Sequence, residues 1–521
     1  MKNTMKKMLA ALLCVLLMTA VCLTALAQED AAALDSQADE LYQKGDYASA
    51  RTLYEQAAAL GSGEAMNMLG LLYQYARGVE EDPKAAFDWY GKAAAAGYSE
   101  GMANYGWCHS NSYGTDQDYE QARIWYEQAA ALGNAKAMGN LGLLYRYARG
   151  IDENPEMAFE WFKKAAEAGN ARGMLNYGWC YANSYGTDQD YEQARIWYEK
   201  AAQLGDAYAM NNLGNLYKHA YGVEENPEMA FGWYKKAAEA GHAGGMHNLG
   251  ECYRDGYGVE PNNATAFAWY LAAAEGGNSS AMCDIAGFYR EGKLGQADPE
   301  KAFEYYSKAA EAGSMKGMEW LAWCYDSGSG VEKDPVKAFV WYERAAEMGS
   351  SYAMYMLGAA CKNGSGTEKN EEKAFAWYLA GAEGGHASAY CEAAYCYAHG
   401  IGTQQDLAQA AQWYEKAEEA GSIDMHGLEW LGAIYTHHPE VTGPDYERGY
   451  AYYQRAAEKG SGYAMYQIGT MYRDGTWLEA DEAQARAWFE RAAEAGYEHA
   501  QEALDALNAP DAEETSAQDA A

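Results

Sequence analysis

The chain has 521 residues, with 39 basic against 75 acidic side chains and a formal charge of −36 at neutral pH. A field of that sign repels nucleic acid and anionic lipid, which sets aside a nucleic-acid role and charge-driven binding to a membrane. Length alone would suggest three or four globular domains, but 46 Tyr, 56 Gly and 16 Trp beside only 9 Pro point instead to one motif used many times.

Taken in chain order, the first segment reads as an export signal. Lys2, Lys6 and Lys7 give a positive start, an apolar run follows from Met8 to Leu23, and Ala25-Leu26-Ala27 places small residues where a signal peptidase cuts. The run is shorter than the roughly 20 residues a spanning helix needs. Thr19-Ala20-Val21 ahead of Cys22 is a poor lipid-attachment box. Residues 1–27 are therefore expected to be removed, leaving a secreted protein, extracellular or periplasmic, that begins at Gln28, with no later segment able to span a membrane.

From residue 62 the chain repeats. A helix-ending glycine recurs every 36 residues from Gly61, Gly97 and Gly133 through to Gly421, then after 39 at Gly460 and after 36 at Gly496. This predicts twelve units over 62–496, with one insertion near Ile423 to Gly427. Each unit holds two helices. In the later helix Asp82 can cap, Pro83 suits the first helical position, and Ala86, Trp89, Tyr90, Ala93 and Ala94 fall on one face. Ten of the 16 Trp share the Trp89 column and are expected to be core. The earlier helix carries Ala65, Met66, Leu69, Gly70 and Tyr73, with Gly70 small enough for its partner to approach closely. Glycine-bearing loops such as Gly256-Tyr257-Gly258-Val259 join the two. No unit can bury its apolar face alone, so neighbours must stack. Near-identical text at 104–130 and 176–202 lays a 72-residue period over the first, as duplication of repeat pairs would.

These columns closely resemble the Sel-one-like repeat family, a relative of the tetratricopeptide repeat. The matching pattern is A-M-x-x-L-G-x-x-Y, then G-x-G-V, then D-P-x-K-A-F-x-W-Y-x-K-A-A-E-x-G. The resemblance implies an all-α fold, an α/α superhelical solenoid of twelve 36-residue helix-turn-helix repeats. Residues 28–61, with Gly45-Asp46-Tyr47 at the turn, resemble a tetratricopeptide-like capping hairpin. Residues 497–507 are expected to form a capping helix, and 508–521 an acidic disordered tail.

Among eight cysteines of the mature chain, Cys108, Cys180, Cys252, Cys324 and Cys396 recur every 72 residues, too far apart to bridge in a straight stack. The paired cysteines of some secreted relatives are missing, and buried free thiols are expected, which suits a reducing or anaerobic setting. Gly287 to Leu294 imitates a phosphate loop, but Leu294 stands where a hydroxyl must hold magnesium. Asp116, Asp118 and Glu120, like Asp188, Asp190 and Glu192, imitate a calcium loop without its glycine. Some relatives are linked to β-lactam hydrolysis, yet Ser-x-x-Lys, Ser-Asp-Asn and Lys-Thr-Gly do not occur. No catalysis, cofactor or metal is expected.

What remains is recognition. In tetratricopeptide-like stacks the earlier helices line the concave face, so the resemblance directs attention to positions equivalent to Asn67, Leu71 and Gln74. The Gln74 position becomes Arg146, Lys218, Arg254, Arg290, Lys362 and Arg473, and the Leu71 position becomes Trp107, Trp179, Trp323 and Tyr395. Arginine and aromatics together are enriched at binding hot spots. The expected partners are other proteins or peptides. A glycan of the cell envelope, stacked on the Trp and basic groove, is the alternative.

Overall fold

The computed structural model describes residues 28–443 and 445–508; the export signal and most of the acidic tail expected from sequence lie outside them. Every regular element among the described residues is a helix, and consecutive helices pack as antiparallel hairpins. The chain divides into two units at Gly276–Gly277. In the first unit, a hairpin made of helix 28–43 and helix Tyr47–Ala59 is followed by six further hairpins, from Gly63–Gln74 with Pro83–Ala95 to Ala243–Asp255 with Asn263–Glu275. The second unit holds six hairpins, from Ser279–Glu291 with Pro299–Glu311 to Gly462–Asp474 with Glu482–Glu494. It ends on helix Ala500–Asn508, which buries Ala500, Ala503 and Leu504. We call the earlier helix of each hairpin A and the later one B.

The expected caps are present. Asp82 accepts from the Ala85 amide at 2.9 Å with Pro83 as first helical residue, and Asp118 and Asp190, the calcium-loop mimics, cap their B helices in the same way. Gly287 of the phosphate-loop mimic lies inside helix Ser279–Glu291. Two of the three inserted residues fall before helix Met425–His437 as expected; the third lies in the following loop, which carries the short helix Pro439–Thr442.

One sequence expectation is corrected. The residue that fills each hairpin is not the Trp but the aromatic after it: Tyr90, Phe162, Tyr234 and Tyr270 have no exposed surface. The ring lies on the A-helix glycine, where a β-carbon at Gly142 would sit 2.4 Å from Phe162 Cε1, and one at Gly214 2.4 Å from Tyr234 Cε1. The Trp column is mostly half-buried at the hairpin flank. A cation three residues later roofs it: Lys92 over Trp89 at 3.7 Å, Lys200 over Trp197 at 3.6 Å and Arg491 over Trp488 at 4.0 Å. The indole thus spends one face on packing and offers the other to a charge.

Repeats are stitched backwards through the A–B loop. Gly258 has φ +70°, and a β-carbon there would lie 2.1 Å from the Pro227 carbonyl oxygen, at the start of the preceding repeat's B helix. Gly114 on Pro83 and Gly330 on Pro299 repeat the contact. Beside it Tyr257 donates its hydroxyl hydrogen to Glu225 at 2.9 Å, as Tyr185 does to Glu153.

Candidate functional site: an amide-lined groove on the A helices

The A helices of the first unit carry a column of carboxamides. Asn104, Asn140 and Asn176 stand 36 residues apart, one position beyond the Asn67 column. Asn104 Nδ2 donates to Asn67 Oδ1 at 2.7 Å, and Asn248 Nδ2 donates to Asn211 Oδ1 at 2.8 Å, so neighbouring A helices are linked amide to amide. Over these residues opens a groove of about 490 Å³ lined by Asn67, Leu71, Gln74, Tyr75, Glu100, Ala103, Asn104, Trp107, Lys136, Gly139, Asn140, Leu143, Asn170, Arg172 and Asn176. Gly139 and Ala103 keep its floor low, and Leu71, Trp107 and Leu143 give it apolar patches.

A carboxamide offers one acceptor and two donors. It therefore complements a peptide group, which has one N–H and one C=O. A row of them can hold an extended backbone with little regard to its side chains, and an indole or leucine beside the row adds contact for those side chains.

The ten residues singled out from sequence are placed in several settings. Trp107 lines the groove, its ring 5.3 Å from that of Tyr113. Arg146 and Trp179 come together outside its lining, the guanidinium 3.4 Å from the indole centroid. Lys218 pairs with Glu251 at 3.0 Å, and Arg254 meets Glu251 at 3.5 Å and Asp255 at 2.7 Å. In the second unit Arg290 lies 4.0 Å from the centroid of Trp320 and 2.7 Å from Glu291, while Trp323 sets its edge against Trp320 at 5.6 Å. Lys362 pairs with Glu392 at 2.9 Å and faces Tyr395, whose ring lies 4.1 Å from His399. Arg473 pairs with Asp474 at 2.6 Å. Most of these cations thus reach one repeat forward to an acid or an aromatic ring, acting as clasps between neighbouring A helices.

Lys362, Cys391, Glu392, Tyr395, Tyr414, Asp424 and His426 also line a smaller cavity of about 190 Å³. All eight cysteines of the described residues are free, and Cys391 is the one that is not fully buried. Burial pushes the Cys108 and Cys180 thiols up to about 12 and those of Cys252, Cys324 and Cys396 up to about 11. A thiol reagent at pH 8 is therefore expected to reach Cys391 first, leaving aside Cys14 and Cys22, and the other seven after unfolding. Mass spectrometry of partly labelled protein checks this; uniform labelling of the native chain would contradict it. Because the folded thiols have the higher pKa, their contribution to stability is whole below the unfolded value of about 8.5 and fades as pH rises from there towards 11–12.

No described helix is long and apolar enough to cross a membrane. The family model of the Sel1 repeat matches thirteen consecutive segments, from 32–62, 63–98 and 99–134 to 429–461 and 462–497. Twelve of them follow the repeats expected from sequence, and the thirteenth falls on the hairpin read there as a cap. No curated protein matches the chain. Among solved structures, a protective antigen present in uropathogenic Escherichia coli strains and displaying an SLR fold is similar at 31% identity over 88% of this chain and 97% of its own, with a TM-score of 0.51. A Sel1 repeat protein from Oxalobacter formigenes is 31% identical over 46% of this chain and 99% of its own, with a TM-score of 0.44. Arrays of this kind are commonly scaffolds for protein–protein interaction and typically non-catalytic. With family-model matches running almost without a break from residue 32 to 497, the chain belongs to the Sel1 repeat family.

Proposed function

We propose that this protein is an exported scaffold that brings other proteins together by gripping extended segments of them along its A helices, the face expected to be concave, without chemistry of its own. The observation that carries the reading is the groove of the first unit, where the half-buried Asn104 and Asn140 offer carboxamides beside Trp107 and Leu143, backed by the buried Asn67 and Asn176. Export rests on the charge and apolar pattern of residues 1–27. It accords with the similar E. coli protein being a protective antigen. The glycan reading has less behind it, because Arg146 covers one face of Trp179 and Arg290 one face of Trp320, which leaves fewer open indole faces for sugar rings.

The test is crosslinking capture from the extracellular fraction by the mature chain and by a Trp107→Ala/Asn140→Ala variant of unchanged helical content. Proteins held by the native form and lost with the variant are expected. Equal recovery would place the site elsewhere, and recovery of polysaccharide alone would favour the glycan reading. Intact mass of the exported protein checks the start at Gln28.

A further inference from the structure

The rim of the groove changes sign along its length. The second residue of successive A helices is Glu64, Glu100, Lys136 and Arg172, and the last three line the groove itself. The amino end of a helix carries a partial positive charge, so an acid belongs there and a cation is opposed. Glu64 and Glu100 agree with helix stability; Lys136 and Arg172 work against it. Nor does a neighbouring acid account for them well. Lys136 has no ion-pair partner among the described residues, and Arg172 reaches Asp206 at a long 4.0 Å with its side chain about half exposed. Lys136 therefore stands where the fold gains nothing from it, and Arg172, although its guanidinium lies 4.5 Å from the Tyr208 ring centroid, keeps about half of its side chain exposed; both are at one end of a groove built of amides.

Beside the other end, next to Glu100 but outside the groove lining, negative charge is crowded. Burial, and then the neighbouring Asp35, Asp39 and Glu100, raise the pKa of the Glu64 carboxyl. Asp35 is 8% exposed, and its Oδ1 has no hydrogen-bond partner among the described residues. A cation arriving at this end would relieve that crowding, and an anion arriving at the other would meet Lys136 and Arg172.

We infer that the groove takes an extended peptide segment in one polarity, with a basic side chain or amino terminus towards Glu100 and Glu64 and an acidic side chain or carboxyl terminus towards Lys136 and Arg172. This rests on the groove being a peptide site, as proposed above. Glu100 and Arg172 are two repeats apart. Packed neighbouring helices are about 8–10 Å apart, so the span is roughly 20 Å, and at about 3.3 Å per residue the two charges of the ligand are separated by about six residues. The amides hold the backbone between them and Trp107 contacts a side chain near the middle.

A phage-displayed library of random twelve-residue peptides, panned on the full mature chain and on a Lys136→Glu/Arg172→Glu variant, tests this. Peptides enriched on the native chain should carry Lys or Arg and Asp or Glu about six residues apart. Those enriched on the variant should be basic at both ends. For one selected peptide, replacing its acidic residue by Gln should weaken binding about tenfold on the native chain and less than about twofold on the variant. Peptides without charge order, or the same preference on both proteins, would overturn the polarity while leaving a peptide groove in place. No enrichment, or peptides bound equally by Trp107→Ala/Asn140→Ala, would overturn the groove reading and the polarity with it.

Discussion

Tyr234→Ala is expected to cost about 3–5 kcal/mol, whereas Trp233→Ala, one residue earlier, should cost distinctly less, about 1–2 kcal/mol. The Tyr234 ring has no exposed surface, lies on Gly214, and donates its hydroxyl hydrogen to Asn215 Oδ1 at 2.8 Å. Removing it empties the space between the two helices of the hairpin. Trp233 is half-buried with Lys236 4.0 Å from its centroid, so its loss opens a groove that water can enter. Tyr234→Phe, which keeps the ring and gives up the hydrogen bond, should fall near 1 kcal/mol. Stacked repeats need not melt as one body. The measurement is therefore amide hydrogen exchange in helices Ala207–Lys218 and Pro227–Glu239, beside the urea midpoint. Equal losses at 233 and 234 would contradict the assignment of the filling residue.

Adding a single methyl group is expected to be nearly as damaging when it is added to the A-helix glycine. At Gly142 the new β-carbon would meet three atoms of the Phe162 ring within 3.0 Å, and neither helix can move away without disturbing the repeats on both sides. Gly142→Ala should cost about 1–3 kcal/mol. Phe162→Leu alone leaves a cavity and is also destabilising, yet the double variant should be more stable than the sum of the two losses predicts, because the methyl occupies space the ring has vacated. Simple additivity, read from urea midpoints of the four proteins, would mean that the backbone and not the ring gives way.

Much of this was legible in the sequence, and the parts that were not share a cause. The 36-residue glycine period and the Ala86, Tyr90 and Ala93 columns fix the hairpins because a helical face can be read within one repeat. The depth of Trp89 against Tyr90 could not be read that way, since adjacent positions differ by about 100° and the period does not say which of the two points at the partner helix. A signal was available in Lys92, Lys164, Lys200 and Lys236, each three residues after its Trp, as a flanking indole would want. The candidate cations show the same limit. Lys218 and Lys362 stand on the expected column, but what satisfies them, Glu251 and Glu392, lies on the next repeat at a different position, and a column-by-column reading keeps such partners apart. The amide row was visible as Asn104, Asn140, Asn176, Asn212 and Asn248 at constant spacing. Its residues are neutral and not aromatic, so neither charge nor a ring sets them apart in the sequence as binding residues.

The seat that Gly258 takes on Pro227, like that of Gly114 on Pro83 and Gly330 on Pro299, points always towards the amino terminus. Each repeat built this way brings the loop that closes on its predecessor and offers a helix start to its successor, so a whole repeat of this kind can be copied or removed and the chain on either side still finds the surface it needs. A change of length that is not a whole repeat breaks a seat at once. Such an array can lengthen by duplication of intact modules, as the 72-residue near-copies within 104–130 and 176–202 record, and each added pair extends the amide row without redesign of what is already there.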